Sequence, residues 1–389
     1  MKRVFIKNGT VITPCEENNA CIVIEDGVIV DTDFCGEIPE DACVVDASGM
    51  YVTPGIVEVH AHGGGGFDFM DLSKEAFAEI SKVHIEHGVT SIVPTTVACS
   101  LESISEFCSL YRSVLSENMN GMSFLGLHLE GPFISESMKG AQNLKYIRSP
   151  SKYEVDRLMD EAGDIISLCT AAPEIDGTEY MAKKMKKNNI TLSVGHSNAV
   201  FSDIEKARSL EFSHLTHLYS NTSGVRKINQ RVYAGILEAA YYFDDLKIEL
   251  IGDGRHVPKE VLRLALKIKG ADKINITSDA MRAAGTNVTE SYLGAVRPEN
   301  RVIIEDSVAK LPDRSFYAGS IATGDVMLKW LVNECNVSLP DAFKMLSLTP
   351  ASLVGADNKK GSIESGKDAD ILLIDKEFMV KRIITKENF

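Results

Sequence analysis

The chain has 389 residues, of which 44% are apolar and 25% charged, with a formal net charge of −14. That length suits a large barrel of roughly 250 residues plus a smaller module, and the composition supports an ordinary buried core without disulfide or metal staples. No Lys/Arg-rich run interrupts the acidic balance, which argues against a nucleic-acid partner, and no window approaches the ~20 apolar residues that span a bilayer, which argues against a membrane partner.

Residues 1–53 alternate short β-rich runs with turns. Val4-Phe5-Ile6 meets Asn8-Gly9, and the run ending at Ile24 meets Asp26-Gly27 before Val28. Asn-Gly and Asp-Gly between apolar runs are hairpin signals. The opening Met1-Lys2-Arg3 precedes an apolar run too short for a signal peptide, so a cytoplasmic location is expected. Eight cysteines are scattered without a C-x-x-C pair, which predicts reduced thiols rather than a zinc knuckle or redox motif.

From Tyr51 the pattern changes. Eight short apolar runs read as buried parallel strands: 55–59, 91–94, 124–129, 165–171, 190–194, 212–216, 247–251 and 274–277. Amphipathic helical stretches lie between most of them. One covers 73–87, with Ser73 as N-cap and Gly88 as its stop, and another covers 258–269, closed by Gly270. Strand alternating with helix eight times predicts an α/β fold, a closed (β/α)8 TIM-type barrel over 54–345. Beyond about 346 the pattern reverts to β, with a turn-like 361–366 before strands at 369–374 and 380–384. The two termini, 1–53 and 346–389, are expected to meet in one small β-sandwich.

Residues of metal-ligating type recur just after the strand candidates, at the end where a β/α barrel builds its active site. The first strand runs into His60-Ala61-His62, the third into His128-Leu129-Glu130-Gly131-Pro132, the fifth into Gly195-His196-Ser197, the sixth into His217 and the eighth into Ser278-Asp279-Ala280. Barrel closure would carry all five groups to one rim. His60 and His62 alternate on an extended strand, so both imidazoles face one side and can reach one ion. Imidazoles with a carboxylate suit zinc, iron, manganese or cobalt. Glu130, His196 and His217 make up the three-ligand set of an open catalytic site, so one or two divalent ions are expected. Asp279 is placed to take a proton from water beside such an ion and pass it to a leaving amine.

Each residue also has a plainer reading. The His60/His62 pair can be satisfied core histidines, Glu130 a structural ion-pair partner, and Asp279 the cap of the next helix. Coincidence of five groups at one level favours the metal. The run Gly63 to Gly66 removes bulk beside the histidine pair; a phosphate cradle is the rival, without the Lys-Ser/Thr that would support it. His128 is either a partner behind the ligands or a barrel-interior residue, His84 and His87 are surface or packing residues, and His214 is structural.

Residues 54–63 (Pro-Gly-Ile-Val-Glu-Val-His-Ala-His-Gly) resemble the motif that opens the barrel in the amidohydrolase superfamily. Within it, His-Leu-Glu-Gly-Pro-Phe at 128–133, Gly195-His196-Ser197, Thr216-His217-Leu218, Asp253-Gly254-Arg255-His256-Val257 and Ser278-Asp279-Ala280 are similar to N-acetylglucosamine-6-phosphate deacetylases, in the same order and most of the same spacing. The resemblance runs from about residue 50 to Asp370. It implies a homodimeric, metal-dependent deacetylase acting on a small amino-sugar substrate. By it, Glu130, His196 and His217 match the principal metal ligands, and His60 and His62 a second metal position that only some members keep. Asp279 matches the catalytic acid/base, His256 a sugar contact, and Ala141, Ser220, Asn221 and Tyr317-Ala318-Gly319 further substrate contacts.

Three departures stand out. Gln142 occupies a position where members usually carry His. Tyr219 is followed by Ser220-Asn221-Thr222 rather than Asn-Ala-Met. Asn229 stands where members lend a phosphate-binding Arg across the dimer interface, with Arg226, Lys227 and Arg231 around it; Gln142 and Arg231 are therefore counted among the substrate-binding candidates. The expected reaction is deacetylation of N-acetylglucosamine 6-phosphate. The alternatives are N-acetylgalactosamine 6-phosphate, an unphosphorylated N-acetyl sugar or another N-acyl compound and, from a different class, a non-catalytic sugar-binding protein on a decayed barrel.

Overall fold

The computed structural model describes residues 3–386. Eight strands form its centre: Ile56–Ala61, Val89–Pro94, Leu127–Glu130, Ile166–Ala171, Thr191–Val194, Phe212–Leu215, Lys247–Ile251 and Ile274–Thr277. The first two pair in parallel, as do the third through the eighth in succession. The second reaches the third through the parallel bridge Thr95–His128. Ala61 bridges Ala280, the Asp279 N–H donates to His60 O (3.0 Å) and the His62 N–H to Ala280 O (2.8 Å), which closes the ring between the eighth strand and the first. A TIM-type barrel results, as the strand–helix alternation predicts.

The expected third strand, 124–129, is broken in two. Ser123–Phe124 pairs with the second strand, and Leu127–Glu130 with the fourth, touching the second only through the Thr95–His128 bridge. Gly126 makes the step at φ 96° and donates its N–H to the Tyr111 hydroxyl (2.9 Å). A Cβ there would lie 2.9 Å from Ile165 O and 2.7 Å from Ser167 Oγ, so the sidestep needs glycine.

Ser73 Oγ accepts the Ala76 N–H and starts helix Lys74–Glu86, which buries Phe77, Ile80 and Ile85; Gly270 ends helix Lys259–Lys269. The β pattern expected from 346 resumes later, because the chain stays helical to Leu353. The reason is apolar: Ala351 and Leu353 pack with Val57, Val59, Val93 and Leu168. Thr191 Oγ1 donates to Leu353 O (2.7 Å) and Lys247 Nζ to Ser352 Oγ (2.6 Å). Both partners begin barrel strands, so this segment covers the lower end of the barrel.

Both ends of the described chain build two sheets. One holds Arg3–Lys7, Ile22–Glu25, Val28–Asp31 and Cys43–Asp46; the other holds Thr10–Ile12, Glu17–Asn18, Tyr51–Pro54, Ile371–Ile374 and Val380–Ile384. Ile6, Ile22 and Ile24 of the first meet Val11, Val52, Ile371 and Leu373 of the second in one core. Residues 1, 2 and 387–389 of the expected terminal module lie outside the described residues.

Two rim elements were not legible as strands. A hairpin, Arg226–Ile228 with Arg231–Tyr233, follows the sixth strand. A four-stranded antiparallel sheet of Glu290–Tyr292, Arg301–Glu305, Val308–Lys310 and Tyr317–Ser320 follows the eighth. All eight cysteines are free. Among the described residues no helix is long and apolar enough to cross a membrane.

Candidate active site

The barrel interior is polar and hydrogen-bonded. Thr95 Oγ1, His128, Thr170, Thr216, Ser193 and His214 form one chain of side-chain contacts of 2.5–3.3 Å. Across from it, Glu58 accepts the N–H groups of His60 (3.0 Å) and Ser278 (2.9 Å) and the Thr277 hydroxyl. Glu249 accepts from His60 Nδ1 (2.8 Å), the His217 N–H (3.1 Å) and Asn275 Nδ2 (3.0 Å). These two buried carboxylates tie down the strand ends that carry the rim residues. His128 is thus an interior residue, and His214 likewise. His84 is a packing residue whose Nε2 meets Gly63 O at 3.1 Å, and the half-buried His87 pairs with Asp325 at 2.8 Å.

Above that layer, residues from distant segments meet. Glu130 Oε1 lies 2.8 Å from His217 Nε2, 3.1 Å from His196 Nε2 and 3.5 Å from His60 Nε2. His62 Nε2 lies 3.4 Å from Glu130 Oε2 and 3.3 Å from Asp279 Oδ1, which is 3.6 Å from His60 Nε2. The backbone aims several of them: His196, His217 and Asp279 have φ of 46°, 25° and 48°, a region costly for residues other than glycine and concentrated at functional sites.

The outer nitrogens are already committed. His196 Nδ1 donates to Met138 O (2.8 Å), His217 Nδ1 to Ser220 O (3.2 Å) and His60 Nδ1 to Glu249. Each Nε2 is therefore the free lone pair turned inward, the arrangement in which outer partners orient metal-binding imidazoles. His60 Nε2 and His62 Nδ1 are buried without a hydrogen-bond partner. Ligands of a tetrahedral ion at about 2.1 Å sit roughly 3.4 Å apart, close to the spacings above. The groups His60, Glu130, His217 and His60, His62, Asp279 could each hold an ion, so the donor set fits a divalent metal.

Without an ion the carboxylates favour protonated His60 and His62, so an ion binding there would displace those protons. Burial alone would depress the His60 imidazole, but Glu249, Glu130 and Asp279 outweigh it and hold it well above its ordinary value. Burial is likewise overcome at His62, which Asp279 and Glu130 lift to about 9. Burial would raise Glu130 and Asp279, yet the His60 charge, with His196 at the first and His62 at the second, keeps both carboxyls below their usual range. Both are charged acceptors at neutral pH.

The cluster forms the floor of a cavity of about 520 Å³. His62, Glu130, His196, His217 and Asp279 line it together with Ala141, Gln142, Ser220, Asn221, His256, Tyr317 and Gly319. His256 is fixed by Asp253: Nδ1 donates to Oδ2 at 2.7 Å, and the ring sits 4.8 Å from that of Tyr317. Gln142 is spoken for at both ends, with Nε2 donating to Glu130 Oε2 (2.6 Å) and Oε1 accepting the Ala98 N–H (2.7 Å).

Two expected contacts do not line the cavity. Ala318 is buried with Met281, Ala283 and Leu293, because strand alternation turns Tyr317 and Gly319 the other way. Arg231 is exposed on its hairpin, with its guanidinium 5.4 Å from the Tyr233 ring centre. Gly63 carries no cradle: it pairs with the Phe67–Asp68 strand, and a Cβ would come within 2.2 Å of Phe67 O. Sequence reasoning missed Glu58, Glu249, Asp253 and the lining residues Arg314, Ser315 and Phe316. For Glu58 and Glu249 a signal existed, an acid inside an apolar strand; for 314–316 the only pointer was their adjacency to Tyr317.

The sequence profile of the amidohydrolase family matches residues 51–388. N-acetylglucosamine-6-phosphate deacetylase of Lysinibacillus sphaericus is 31% identical over 340 residues, covering 87% of this chain and 85% of that protein. The crystal structure of N-acetylglucosamine-6-phosphate deacetylase from Thermotoga maritima superimposes with a TM-score of 0.86 at 31% identity, covering 98% of each chain. N-acetylgalactosamine-6-phosphate deacetylase of Escherichia coli O157:H7 is 27% identical over 361 residues, 92% of both chains.

Proposed function

This chain belongs to the amidohydrolase family, and from that premise we propose that it removes the acetyl group of N-acetylglucosamine 6-phosphate, giving glucosamine 6-phosphate and acetate. It is a hydrolase of amide bonds that depends on a divalent metal. The observation that carries the reading is the gathering of four imidazoles and Asp279 around the Glu130 carboxylate at one cavity floor.

In this reading Glu130, His196 and His217 would hold one ion, and His60 and His62 would offer a second position, with Asp279 beside them. Zinc suits a nitrogen-rich tetrahedral set best, while iron, manganese and cobalt use the same donors. Bound there, the ion supplies Lewis acidity toward the acetyl carbonyl and makes water a better acid. Asp279, held ionised, takes the proton of the attacking water and returns it to the sugar nitrogen, so an amine departs rather than an amide anion. His256, its Nδ1–H engaged by Asp253, offers Nε2 as an acceptor for a sugar hydroxyl. Ala141, Ser220, Asn221, Tyr317 and Gly319 shape the sugar pocket. Gln142 holds Glu130 instead of reaching for substrate. The enzyme works in the cytoplasm as a homodimer, with the Arg226–Tyr233 hairpins at the shared face.

A second reading, the same chemistry on N-acetylgalactosamine 6-phosphate or an unphosphorylated N-acetyl sugar, is favoured by the engaged Gln142 carboxamide and by Asn229. Acetate release should be measured on the phosphorylated and free forms of both sugars, before and after chelation. Fastest turnover of N-acetylglucosamine 6-phosphate, lost on chelation, is expected. Faster turnover of the galacto sugar would transfer the assignment to it, and chelator-resistant turnover would sink the metal mechanism.

A further inference from the structure

We infer that Arg314 grips the 6-phosphate of the sugar from within the same chain, replacing the arginine that is absent at Asn229. The inference rests on the sugar-phosphate reading above. A phosphate dianion is held by a fixed cation with several N–H donors, and a guanidinium supplies both in one plane. Arg314 is the only Lys or Arg among the residues that line the cavity. The cavity is thus shared by the rim cluster and this guanidinium. A sugar whose C2 acetamide lies at Asp279 presents its C6 substituent to another part of the same space.

The turn that carries Arg314 is built rather than loose. It joins Val308–Lys310 to Tyr317–Ser320. The Leu311 N–H donates to Phe316 O (3.0 Å), and the Arg314 N–H to Leu311 O (2.8 Å). Asp313 Oδ1 takes the Ser315 N–H (3.0 Å) and hydroxyl (2.6 Å). Arg314 itself adopts φ 60°, an uncommon conformation for a long side chain.

The side chain is held as well. Nε and Nη2 donate to the Glu305 carboxylate at 3.0 and 2.7 Å. That pairing uses one edge of the fork and leaves Nη1 with no partner among the described residues. The Arg314 side chain is 59% and that of Glu305 39% exposed, so the pairing favours one orientation of the fork without locking it. Glu305 also offsets part of the charge, so the gain is expected near the low end for charged hydrogen bonds, about tenfold. Lys139 adds positive charge beside the same turn, with its ammonium 5.9 Å from the Phe316 ring centre. Of the other basic candidates, Arg226 Nη2 donates to Asn198 O, and Arg231 lies outside the lining of its own chain's cavity.

The test compares N-acetylglucosamine 6-phosphate with N-acetylglucosamine. Arg314→Ala should lower kcat/KM for the phosphorylated sugar about tenfold, through KM, with the loss confined to that substrate. Arg314→Lys should recover part of it, and Glu305→Gln, which frees the fork, should show a smaller loss. An equal fall for both sugars would mean that Arg314 only shapes the turn, and would overturn the inference. A collapse of discrimination in Arg231→Ala but not in Arg314→Ala would overturn it in favour of the partner hairpin. A wild-type enzyme that prefers the unphosphorylated sugar would sink the phosphate contact and leave the deacetylase reading standing. Should neither sugar be turned over, the deacetylase reading fails; calorimetric binding of glucosamine 6-phosphate against glucosamine to wild type and Arg314→Ala then decides the contact alone. Loss of phosphate preference in the variant supports it, and no difference overturns it.

Discussion

At the rim of the barrel, His60 and His62 face Glu130 and Asp279; one layer lower, His128 and His214 face threonine and serine hydroxyls. Burial opposes the charged form of all four. In the rim pair the carboxylates win, and His62 rises to about 9. In the lower pair nothing offsets burial sufficiently: His214 falls to about 4, and His128 drops well below its ordinary value. The two layers are close enough for the His60 and His128 rings to stand 4.6 Å apart. Neighbouring partners, not depth or sequence position, decide which histidine is held charged beside carboxylates and which is held neutral among hydroxyls.

The largest test of this contrast is metal removal. Chelation should abolish amide hydrolysis, and added zinc should restore it, while circular dichroism stays unchanged because the lower layer needs no ion. Unfolding on chelation would break the contrast. Next, Asp279→Asn should cost roughly 10²-fold or more in turnover with metal content unchanged, measured by steady-state rates beside elemental analysis. A near-normal rate with normal metal would remove Asp279 from proton transfer.

Glu249 joins the two layers, so its replacement sharpens the comparison. Glu249→Leu leaves the His60 Nδ1–H without an acceptor and should weaken one ion of a pair by about 10–100-fold, read by metal titration. Glu249→Gln should bind nearly as wild type, since Asn275 Oδ1 is unpartnered and its amide can turn to receive the new NH2. Equal binding by the Leu variant would show that the contact is idle.

The smallest effect concerns pH. His214 titrates lower in the folded chain than in the unfolded one, which protonates near 6.5. The unfolded state therefore takes the proton first as pH falls. Stability should be full above pH 6.5 and lost between there and about 4, by about 3 kcal/mol. Urea melts of wild type against His214→Asn should show a flatter slope for the variant in that window. Parallel slopes would mean that the imidazole is not held neutral.

Much of this was legible in sequence because two periodicities coincide. Apolar runs alternate with capped helices such as the one begun by Ser73, and ligand types recur directly after those runs at His60, Glu130, His196, His217 and Asp279. What stayed hidden depends on contacts across the barrel. Whether His128 and His217 point to the same or to different layers follows from strand stagger and from the left-handed residue at His217, neither of which composition encodes. The rim sheet that delivers Arg314 consists of strands of three to five residues, too short for a clear alternation to show. The helix that runs past 346 is fixed by the apolar floor it covers. Arg231 counts as a substrate-binding candidate in sequence because it flanks Asn229, where the resemblance places an arginine lent across a dimer; it lies on a hairpin outside the lining of its own chain's cavity.

The strand Tyr51–Pro54 lies at the centre of its sheet and leads, through Gly55, into Ile56–Ala61. Its neighbour on one side is Ile371–Ile374, with Ile371 opposite Pro54, and the Gly55 N–H donates to Asp370 O (2.8 Å). During synthesis, the backbone that carries His60 and His62 therefore leaves the ribosome long before the segment that flanks it. A nascent chain halted before residue 370 would have every proposed ligand yet lack the brace beneath the first two.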